Sequence, residues 1–462
     1  MAKDIQQSLL DRKSLEGAII YFIGIGGIGM SALARFFKSQ KADVYGYDRH
    51  RSPLCAELEK EGIEIHYSDS PELLRKDADI VVYTPAIPKD MQELNFYQQH
   101  NYKLMKRSEI LQWITEPTFN ICIGGTHGKS TITTLIAYIL RNSGYGCNAF
   151  LGALSVNYHT NFWASERSVS VVEADEYDRS FLRLSPNVAV ITAMDADHLD
   201  IYGTEEKVQE AFVQFSQRIR KDGCLVSKRG LAKDAELDAD FHFTYSLDNK
   251  NADYHLQKLE VENGAYQYDI ATPNGVLENV IIHLGGYHNI ENSIAAVAVA
   301  QFLKIDNNAI KAAITSFKGV KRRFEYIVRN ENNVLIDDYA HHPAEIEALL
   351  KGVRSLFEQK ITVVFQPHLY SRTKDLADGF AASLDHGDEV ILLPIYPARE
   401  LPMEGVSSEM ILDKMQISNK YVLEKEAMLE KIKKEKPALV VMCGAGDIDA
   451  LVEPVKEILE GN

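Results

Sequence analysis

The stretch FNICIGGTHGKSTITTLIAYILR, residues 119–141, contains an apolar strand pattern, a glycine-rich loop and an apolar helix pattern in direct succession. Backbone N–H groups of such a loop and of the following helix point at phosphate groups. Lys129 adds a full positive charge where the helix end supplies only roughly half a charge. Position 123 is Ile, so the loop is shorter than GxxxxGK[ST], but its context still predicts a nucleotide-phosphate site. The candidate phosphate-binding residues are Gly125, Thr126, His127, Gly128, Lys129, Ser130 and Thr131.

Acidic residues follow two apolar strand patterns downstream of this loop. SVSVVE ends in Glu173, and NVAVIT leads to Asp195, Asp197 and His198. Taken alone, each cluster also fits a solvated loop. Beside a phosphate loop, clustered acids favour a bound cation, because without one they repel each other. We therefore expect ATP and Mg²⁺ here, with Ser130, Glu173 and His198 as candidate metal ligands.

Strand and helix patterns alternate along the chain, which predicts parallel sheets with helices on both faces. Breaks near residues 118 and 318 divide the chain into three predicted α/β domains, 1–118, 119–318 and 319–462. Alternating polar and apolar residues over about 241–282 predict a small set of antiparallel strands. Because ligands of open α/β sheets bind beyond the strands' carboxyl ends, we expect a site built between domains.

A second glycine-rich turn, GIGGIG, follows the first strand pattern and opens a helix pattern. Gly24, Gly26 and Gly29 have the spacing of a turn that approaches a pyrophosphate, and Asp48 follows Gly29 by 19 residues, where a ribose-binding carboxylate belongs. A nicotinamide dinucleotide, another nucleoside diphosphate or helix packing alone would each explain this turn. The pattern by itself leaves its ligand open.

Polar residues near the second predicted boundary offer further nucleotide contacts. Asn289 and Asn292 are three residues apart on one predicted helical face, and their amides suit adenine edges or phosphates. An N-terminal helix cap explains the pair equally well. Arg323, in KRRFEY, could reach a transferring phosphoryl group, or could belong to a solvated hinge.

Two strand ends in the last third of the chain also carry polar clusters. DDYAHHP places Asp338 beside His341 and His342, but adjacent histidines diverge at a helix start, which disfavours a transition metal. QPHLYSRT contains an arginine that could pair with a carboxylate. The candidate residues of this second cluster are His368, Tyr370 and Arg372.

The composition excludes several classes of protein. The chain has 462 residues, with 50 basic and 66 acidic side chains and a net charge of −16, unlike most nucleic-acid binders. No apolar stretch approaches the roughly 18–20 residues that span a bilayer, and we expect that the first residues, which carry acids and amides, do not act as a signal peptide. The five cysteines form no CxxC pair. We expect a cytoplasmic protein with small-molecule partners, neither nucleic acid nor membrane, that is a monomer or weak homodimer.

Together these motifs resemble the Mur ligases of peptidoglycan synthesis, from about residue 19 to residue 455. The motifs, in the family's order, are GIGGIGMSALA, GTHGKSTITT, EADEYDRSFL, DADHLDIYG, GYHNIENSIAA, RRFE, DDYAHHPAE, QPHLYSRT and GAGDI. The resemblance implies a Rossmann-like N-terminal domain that binds a UDP-sugar, a central P-loop ATPase-like domain that binds Mg·ATP, and a Rossmann-like C-terminal domain that accepts an amino acid.

The resemblance also implies a reaction, in which L-alanine is joined to UDP-N-acetylmuramate through an acyl phosphate. This would serve cell-wall biogenesis and thereby cell shape, cell division and the cell cycle. The implied catalytic residues are Lys129, Glu173, His198, Asn289, Asn292, Arg323 and Asp338. The implied UDP-sugar contacts are Gly24, Gly26, Gly27, Gly29, Asp48, Thr84, Ala86 and Ile87, and ATP would contact the phosphate loop, both asparagines and Arg323. The amino acid would contact His368, Tyr370 and Arg372.

The chain departs from the family pattern at three points. Leu369 stands where an arginine is common, which leaves Arg372 as the main candidate for the amino-acid carboxylate. Ser130 replaces a common threonine and keeps the hydroxyl. No lysine is clearly placed for carbamylation, and Asp195 or Asp197 is the candidate substitute.

Three alternatives stay open at the level of sequence. One is the ligase of the same family that recycles a tripeptide onto UDP-N-acetylmuramate. A nicotinamide-dependent oxidoreductase would explain the first glycine turn but not the central phosphate loop. A non-catalytic nucleotide switch would use the phosphate loop without any turnover.

Overall fold

The structure is a computed structural model that describes residues 5–11, 13–196, 199–262, 264–398 and 400–461. The chain divides into two compact units. The first contains the chain up to Gln257 together with Ile270–Leu277 and Glu291–Ile314. The second contains Lys258–Asp269, Glu278–Ile290 and the chain from Thr315 onward. The predicted boundaries near residues 118 and 318 stay predictions.

The first sheet has five parallel strands in the order β3-β2-β1-β4-β5, the order of a Rossmann-like half. Apolar residues fill β1, which lies at its centre with four of its five side chains buried. Its elements are α1 Ile5–Leu10, β1 Ile19–Ile23, α2 Ile28–Ser39, β2 Asp43–Tyr47, α3 Pro53–Lys60, β3 Glu64–His66, β4 Ile80–Tyr83, α4 Gln92–Gln99, β5 Leu104–Lys106 and α5 Arg107–Thr115.

The second sheet has ten strands in the order β15-β14-β13-β12-β11-β10-β6-β9-β7-β8. Its first elements are β6 Phe119–Gly124, α6 Lys129–Asn142, β7 Asn148–Ser155, β8 Thr160–Trp163, β9 Val169–Glu173, a 3₁₀ helix Tyr177–Arg183, β10 Val188–Ile191, α7 Leu199–Tyr202 and α8 Glu205–Ser216. The others are β11 Cys224–Lys228, a 3₁₀ turn Asp234–Glu236, β12 Phe241–Ser246, β13 Tyr254–Glu262, β14 Ala265–Thr272, β15 Gly275–Ile282, α9 Tyr287–Phe302 and α10 Asn307–Ser316. The antiparallel prediction is wrong where it begins, because β12 pairs in parallel with β11.

The third sheet lies in the second unit and has the order β16-β17-β21-β18-β19-β20. Only its first strand runs antiparallel to its neighbour, and the remaining pairs are parallel. Its elements are β16 Glu325–Arg329, β17 Val334–Asp338, α11 Pro343–Leu356, β18 Ile361–Phe365, α12 Tyr370–Leu384, β19 Glu389–Leu392, α13 Glu409–Leu412, β20 Lys420–Val422, α14 Lys425–Glu435, β21 Leu439–Cys443, a 3₁₀ turn Asp447–Leu451 and α15 Val452–Glu460. The predicted α/β class with three sheets is confirmed.

Helix α2 of the first sheet packs directly against β7 and β8 of the second. Phe36 contacts the rings of Phe150 and Phe162, with ring centroids 5.6 and 6.1 Å apart. Beside these rings, the guanidinium of buried Arg35 donates to the Asn161 side-chain oxygen. These buried polar groups are therefore satisfied by each other. Around them, buried apolar residues from both sheets of the first unit form one continuous hydrophobic core.

All five cysteines are buried and none forms a disulfide. Burial raises the pKa of Cys147 to about 12, so this thiol stays protonated and inert. In the part of the chain that the structure describes, no helix has the length and apolar character needed to cross a bilayer.

One buried acid makes the stability of the first sheet depend on pH. Glu93, at the start of α4, is fully buried and accepts a hydrogen bond of 2.6 Å from the Tyr21 hydroxyl. His66 Nε2 lies 2.7 Å from the same hydroxyl. The negative charge of Asp69 acts on the Glu93 carboxyl and contributes to raising its pKa. Burial raises the pKa of Glu93 to about 7, although hydrogen bonds from Tyr21 and from the Ser70 backbone oppose the rise.

Glu93→Gln should reduce the loss of stability that accompanies rising pH. The folded chain holds a proton on Glu93 from its ordinary pKa of 4.5 up to about 7, whereas the unfolded chain releases it. The free energy of unfolding therefore falls as pH rises from about 4.5 to about 7, by up to about 3 kcal/mol in all, and does not change further above that range through this group. Urea unfolding at pH 5 and pH 8 should show a smaller difference in the variant than in the wild type. An unchanged difference would contradict this, and Glu64→Gln, on the exposed side of β3, controls for loss of a surface carboxylate.

Candidate functional site

The site is organised by strand β6, which pairs in parallel with β9 on one side and β10 on the other. The register aligns Ile123 with Glu173 and Gly124 with Ile191, so all three strands end at the same edge of the sheet. The loops that follow them therefore meet there. The phosphate loop and the first acidic cluster, which are well separated in sequence, become neighbours.

The phosphate loop turns sharply because two of its glycines adopt backbone angles that other residues rarely reach. Gly125 has φ +134° and Gly128 has φ +78°. At Gly125 a side chain would also collide with Thr192, whose hydroxyl donates to the His127 carbonyl. Helix α6 begins at Lys129, and its N-cap residue, Gly128, has no side chain that could cap the first turn. The N–H groups of that turn are therefore directed at the space where an anion would bind.

The Lys129 ammonium group lies at the mouth of this loop. Its Nζ donates to the Gly125 carbonyl at 2.6 Å and forms an ion pair with Glu176 Oε1 at 2.8 Å. The predicted phosphate-binding lysine is thus held within the loop itself. Its carboxylate partner belongs to EADEYD, but nothing in the sequence distinguished Glu176 from the other acids of that cluster.

Ser130 and Glu173 come together as the sequence predicts for metal ligands. The Ser130 hydroxyl donates to Glu173 Oε1 at 3.2 Å. Gly152 leaves room for this carboxylate, because a Cβ at Gly152 would lie 2.1 Å from Glu173 Oε2. A hydroxyl and a carboxylate side by side are hard oxygen ligands of the kind that Mg²⁺ prefers.

The rest of the predicted metal site is only partly described. His198 and Asp197 lie outside the described residues. Among the residues that the structure does describe, no three histidine, cysteine or acidic side chains converge on one point. Ser130 and Glu173 would therefore provide part of a coordination shell, which fits a Mg²⁺ that keeps waters and nucleotide phosphates as its other ligands.

The remaining loop residues contact the strand end of β10. The Thr126 hydroxyl and His127 Nε2 each lie 3.4 Å from Asp195 Oδ2. Thr131, on the first turn of α6, is buried. Asp195 is thus placed beside the phosphate loop, where a substitute for a carbamylated lysine is expected.

The two predicted asparagines differ in their surroundings. Asn292 belongs to the first unit, and its Oδ1 would lie 2.9 Å from a Cβ at Gly128. Asn289 belongs to the second unit, is buried, and donates from Nδ2 to the Gly285 carbonyl at 2.7 Å. The contacts therefore place Asn292 directly against the phosphate loop, whereas the Asn289 amide holds the start of α9.

The first glycine turn faces the same cavity as Glu173. This cavity, of about 400 Å³, lies entirely in the first unit and is also reached by Asp175. Of the predicted UDP-sugar contacts, the lining includes Gly27, Gly29, Thr84 and Ala86. The turn and the phosphate-loop edge, two motifs that the sequence left separate, thus share one cavity.

The other predicted contacts of this turn support its shape. The Gly26 N–H donates to Asp48 Oδ2 at 2.8 Å, so the carboxylate expected on a ribose closes the turn. Ile87 packs against Gly24, where a Cβ would lie 3.0 Å from its Cδ1. Neither Asp48 nor Ile87 is among the residues that line the cavity.

Arg107 also lines the cavity, although no sequence motif indicated it. It begins α5, packs against Gly29 and donates from Nη2 to Asp175 Oδ2 at 3.1 Å. Its guanidinium therefore lies between the glycine turn and the acidic cluster. No motif marks this arginine, because only the meeting of two sheets brings it to the cavity.

In the second unit, Asp338 fixes the turn that carries Arg323. Its carboxylate accepts the N–H groups of Phe324 and Ala340, each at 2.7 Å. Burial raises the pKa of Asp338 to about 6, and these two hydrogen bonds oppose the rise. Arg323 is exposed, whereas its neighbour Arg322 donates to the Gly444 carbonyl at 2.6 Å.

The predicted amino-acid residues also lie in the second unit. His368 follows β18 and stacks on Tyr396, with ring centroids 5.8 Å apart, and burial lowers its pKa. Tyr370 and Arg372 occupy the first turn of α12. Leu369, the departure from the family pattern, precedes that helix with φ +70°, an unfavourable angle for leucine.

The adjacent histidines of DDYAHHP have local structural contacts. His341 Nδ1 lies 2.9 Å from the Tyr339 carbonyl, and His342 caps α11 with Glu345. The expectation that the pair does not bind a transition metal stays a prediction.

Three family models match successive parts of the chain. The Mur ligase family, catalytic domain matches residues 19–118, the Mur ligase middle domain matches 123–300, and the Mur ligase, glutamate ligase domain matches 322–446. The order of the three matches is the order of the motifs in the sequence.

Similar proteins extend over nearly the whole chain. It is 45% identical to the UDP-N-acetylmuramate–L-alanine ligase of Christiangramia forsetii, covering 95% of this chain and 97% of that protein. It is 46% identical to the protein of that name from Porphyromonas gingivalis, covering 96% and 99%.

Solved structures are also similar over nearly the whole chain. The UDP-N-acetylmuramate-alanine ligase of Thermotoga maritima is similar with a TM-score of 0.80 and 28% identity, covering 96% of this chain and 98% of that one. A murein peptide ligase of Psychrobacter arcticus shares the fold at a TM-score of 0.64 and 21% identity, covering 96% and 99%. The extent of these matches, together with the phosphate loop and the cavity beside it, shows that the chain belongs to the Mur ligase family of ATP-dependent ligases.

Proposed function

We propose that the chain joins L-alanine to UDP-N-acetylmuramate, with cleavage of ATP to ADP and phosphate, in peptidoglycan synthesis. The name shared by its relatives supports this activity. The observation that carries it is the single cavity lined both by the glycine turn at Gly27 and Gly29 and by Glu173 beside the phosphate loop. A UDP-sugar held at the turn would present its acid group to the phosphate-loop edge.

The proposed reaction has two steps. A lactyl carboxylate oxygen of UDP-N-acetylmuramate attacks the γ-phosphorus of ATP, and the bond from that phosphorus to ADP breaks. The L-alanine nitrogen then attacks the acyl carbon, and the carbon–oxygen bond to phosphate breaks. Of the two protons that leave the alanine ammonium group, one goes to solvent and the other to the departing phosphate.

The residues of the first unit have defined roles in this proposal. The free N–H groups of α6 and the Lys129 ammonium hold the terminal phosphates. Ser130 and Glu173, with His198, would hold Mg²⁺. The metal, when bound, offsets the charge of the transferring phosphoryl group. Arg107 would hold an anionic group of the UDP-sugar near the turn, because it is the cation that lines the described cavity.

The residues of the second unit are assigned by the family resemblance. Arg323 would stabilise the transferring phosphoryl group, and Asp338 would fix the turn on which Arg323 stands. Asn289 would act with Asn292 on the nucleotide. The amino-acid carboxylate would pair with Arg372, close to His368 and Tyr370.

We further propose a cytoplasmic enzyme that is a monomer or a weak homodimer. Five buried, unpaired thiols and a net charge of −16 support a reducing compartment and substrates that are small molecules.

ADP release by the purified enzyme should require both UDP-N-acetylmuramate and L-alanine. Each of a panel of amino acids, and the tripeptide of the recycling ligase, would be supplied with Mg·ATP. L-Alanine should give the highest kcat/KM, and Lys129→Met should lower kcat by more than about a hundredfold, because one preorganised cation is lost. Release that depends on the tripeptide would instead support the recycling ligase. Reduction of a nicotinamide cofactor without ADP release would support the oxidoreductase.

Arg107→Gln should weaken binding of the UDP-sugar and leave binding of ATP unchanged. A lost charge-assisted hydrogen bond to an anion predicts a KM for UDP-N-acetylmuramate that is raised by about 10–100-fold. Arg183→Gln removes an exposed arginine paired with Glu109 at 3.4 Å and should change this KM by less than about twofold. A rise in KM confined to ATP would refute the assignment of Arg107 to the UDP-sugar.

Gly152→Ala should raise the Mg²⁺ concentration needed for half-maximal activity. The added Cβ would displace the Glu173 carboxylate, which it would approach to 2.1 Å. We expect a shift of about tenfold or more, and a similar or larger shift for Glu173→Gln, since ligand-orienting contacts are worth about 10–100-fold. Circular dichroism would confirm that both variants fold. A folded Gly152→Ala enzyme with wild-type Mg²⁺ dependence would show that Glu173 is not a ligand.

A further inference from the structure

The buried ion pair between Lys129 and Glu176 is not explained by the proposed reaction alone. Glu176 is only 1% exposed, and the Lys129 side chain is 15% exposed. Removing either partner of such a pair leaves the other charge buried without compensation, which is costly. The pair nevertheless joins the one lysine of the phosphate loop to an acid that repels phosphate.

The backbone of Glu176 is held in place by its own loop. Its backbone carbonyl accepts hydrogen bonds from the Tyr202 hydroxyl at 2.7 Å and from the Arg179 N–H at 3.0 Å. The loop turns tightly after Glu176, because Asp178 and Arg179 have φ values of +52° and +53°. Non-glycine residues adopt such angles at a cost, which the surrounding structure must offset. The backbone of Glu176 is therefore fixed, and its buried carboxylate is paired with Lys129.

The geometry limits how Lys129 can meet a phosphate. A lysine ammonium group has three N–H donors. One is directed at the Gly125 carbonyl and one at Glu176, at 2.6 and 2.8 Å. One N–H is left for a phosphate oxygen, and its direction is set by the other two.

The carboxylate also changes the charge that a nucleotide meets. Lys129 and Glu176 together carry no net charge. A phosphate is therefore attracted only because it lies closer to the ammonium group than to the carboxylate, and because the N-terminus of α6 is positive. A loop with this pair should hold a polyphosphate less tightly than a loop with the lysine alone. Weaker binding favours release of the product nucleotide.

We propose that Glu176 is a positioning residue that orients the Lys129 ammonium group and limits the affinity of the phosphate loop for ADP. The inference rests on the proposed function in taking an adenine nucleotide as the ligand.

Glu176→Gln tests the proposal, because an amide oxygen can still accept from Lys129 while the charge is removed. The Kd for ADP, measured by calorimetry, should fall by about 5–50-fold. The kcat should fall together with the KM for ATP, and a burst of ADP formation should precede slow steady-state turnover, because ADP release becomes limiting. Unchanged or weaker ADP binding by the folded variant would overturn the proposal.

A second variant separates charge from position. Glu176→Asp keeps the charge and should bind ADP within about twofold of the wild type. If Glu176→Asp binds ADP as tightly as Glu176→Gln, charge is not the cause. These two variants also keep the proposal testable if one of them fails to fold.

A double-mutant cycle assigns the effect to Lys129. In a Lys129→Met background, Glu176→Gln should lower the Kd for ADP by a clearly smaller factor than in the wild-type background, since only the direct repulsion between the carboxylate and the phosphate is relieved there. A gain in affinity as large as in the wild-type background would overturn the proposal. Glu236→Gln, the same substitution at an exposed pair with Lys233, should have no effect on ADP binding. A wild-type enzyme that binds ADP but turns over without L-alanine would refute the proposed function and leave this comparison intact.

Discussion

The parallel pairing of β6 with β9 and β10 is the constraint on which the rest of the first unit depends. The register sets Ile123 beside Glu173 and Gly124 beside Ile191, so the phosphate loop, the acidic cluster and the exit of β10 meet at one edge. A shift by one residue would turn the Glu173 side chain to the other face of the sheet. The contact between Ser130 and Glu173 is a direct consequence of this register.

Charge at this edge is arranged in pairs although the chain as a whole carries −16. Two of the acids in EADE have a cation, because Asp175 pairs with Arg107 and Glu176 pairs with Lys129. The third, Glu173, accepts a hydrogen bond from the Ser130 hydroxyl. In the proposed function, this arrangement would let an acidic protein accept anionic substrates, since a metal at Glu173 and the helix end would supply the attraction that the paired cations do not.

Much of this could be predicted from the sequence, because strand, loop and helix signals are local. The α/β class, the phosphate loop and the pairing of Ser130 with Glu173 all follow from residues that are close in sequence or lie at strand ends. Arg107 and Gly152 could not be found in this way. Each acquires its role only when a distant element packs against it, Gly29 for the arginine and Glu173 for the glycine.

The central claim is that the sugar acid attacks the γ-phosphorus of ATP at the edge where the phosphate loop meets the shared cavity. The most direct test uses UDP-N-acetylmuramate labelled with ¹⁸O in its lactyl carboxylate, turned over with L-alanine and Mg·ATP. We expect one labelled oxygen per turnover in the released phosphate, because the bridging oxygen of the acyl phosphate leaves with the phosphorus. Phosphate free of label at full turnover would contradict it.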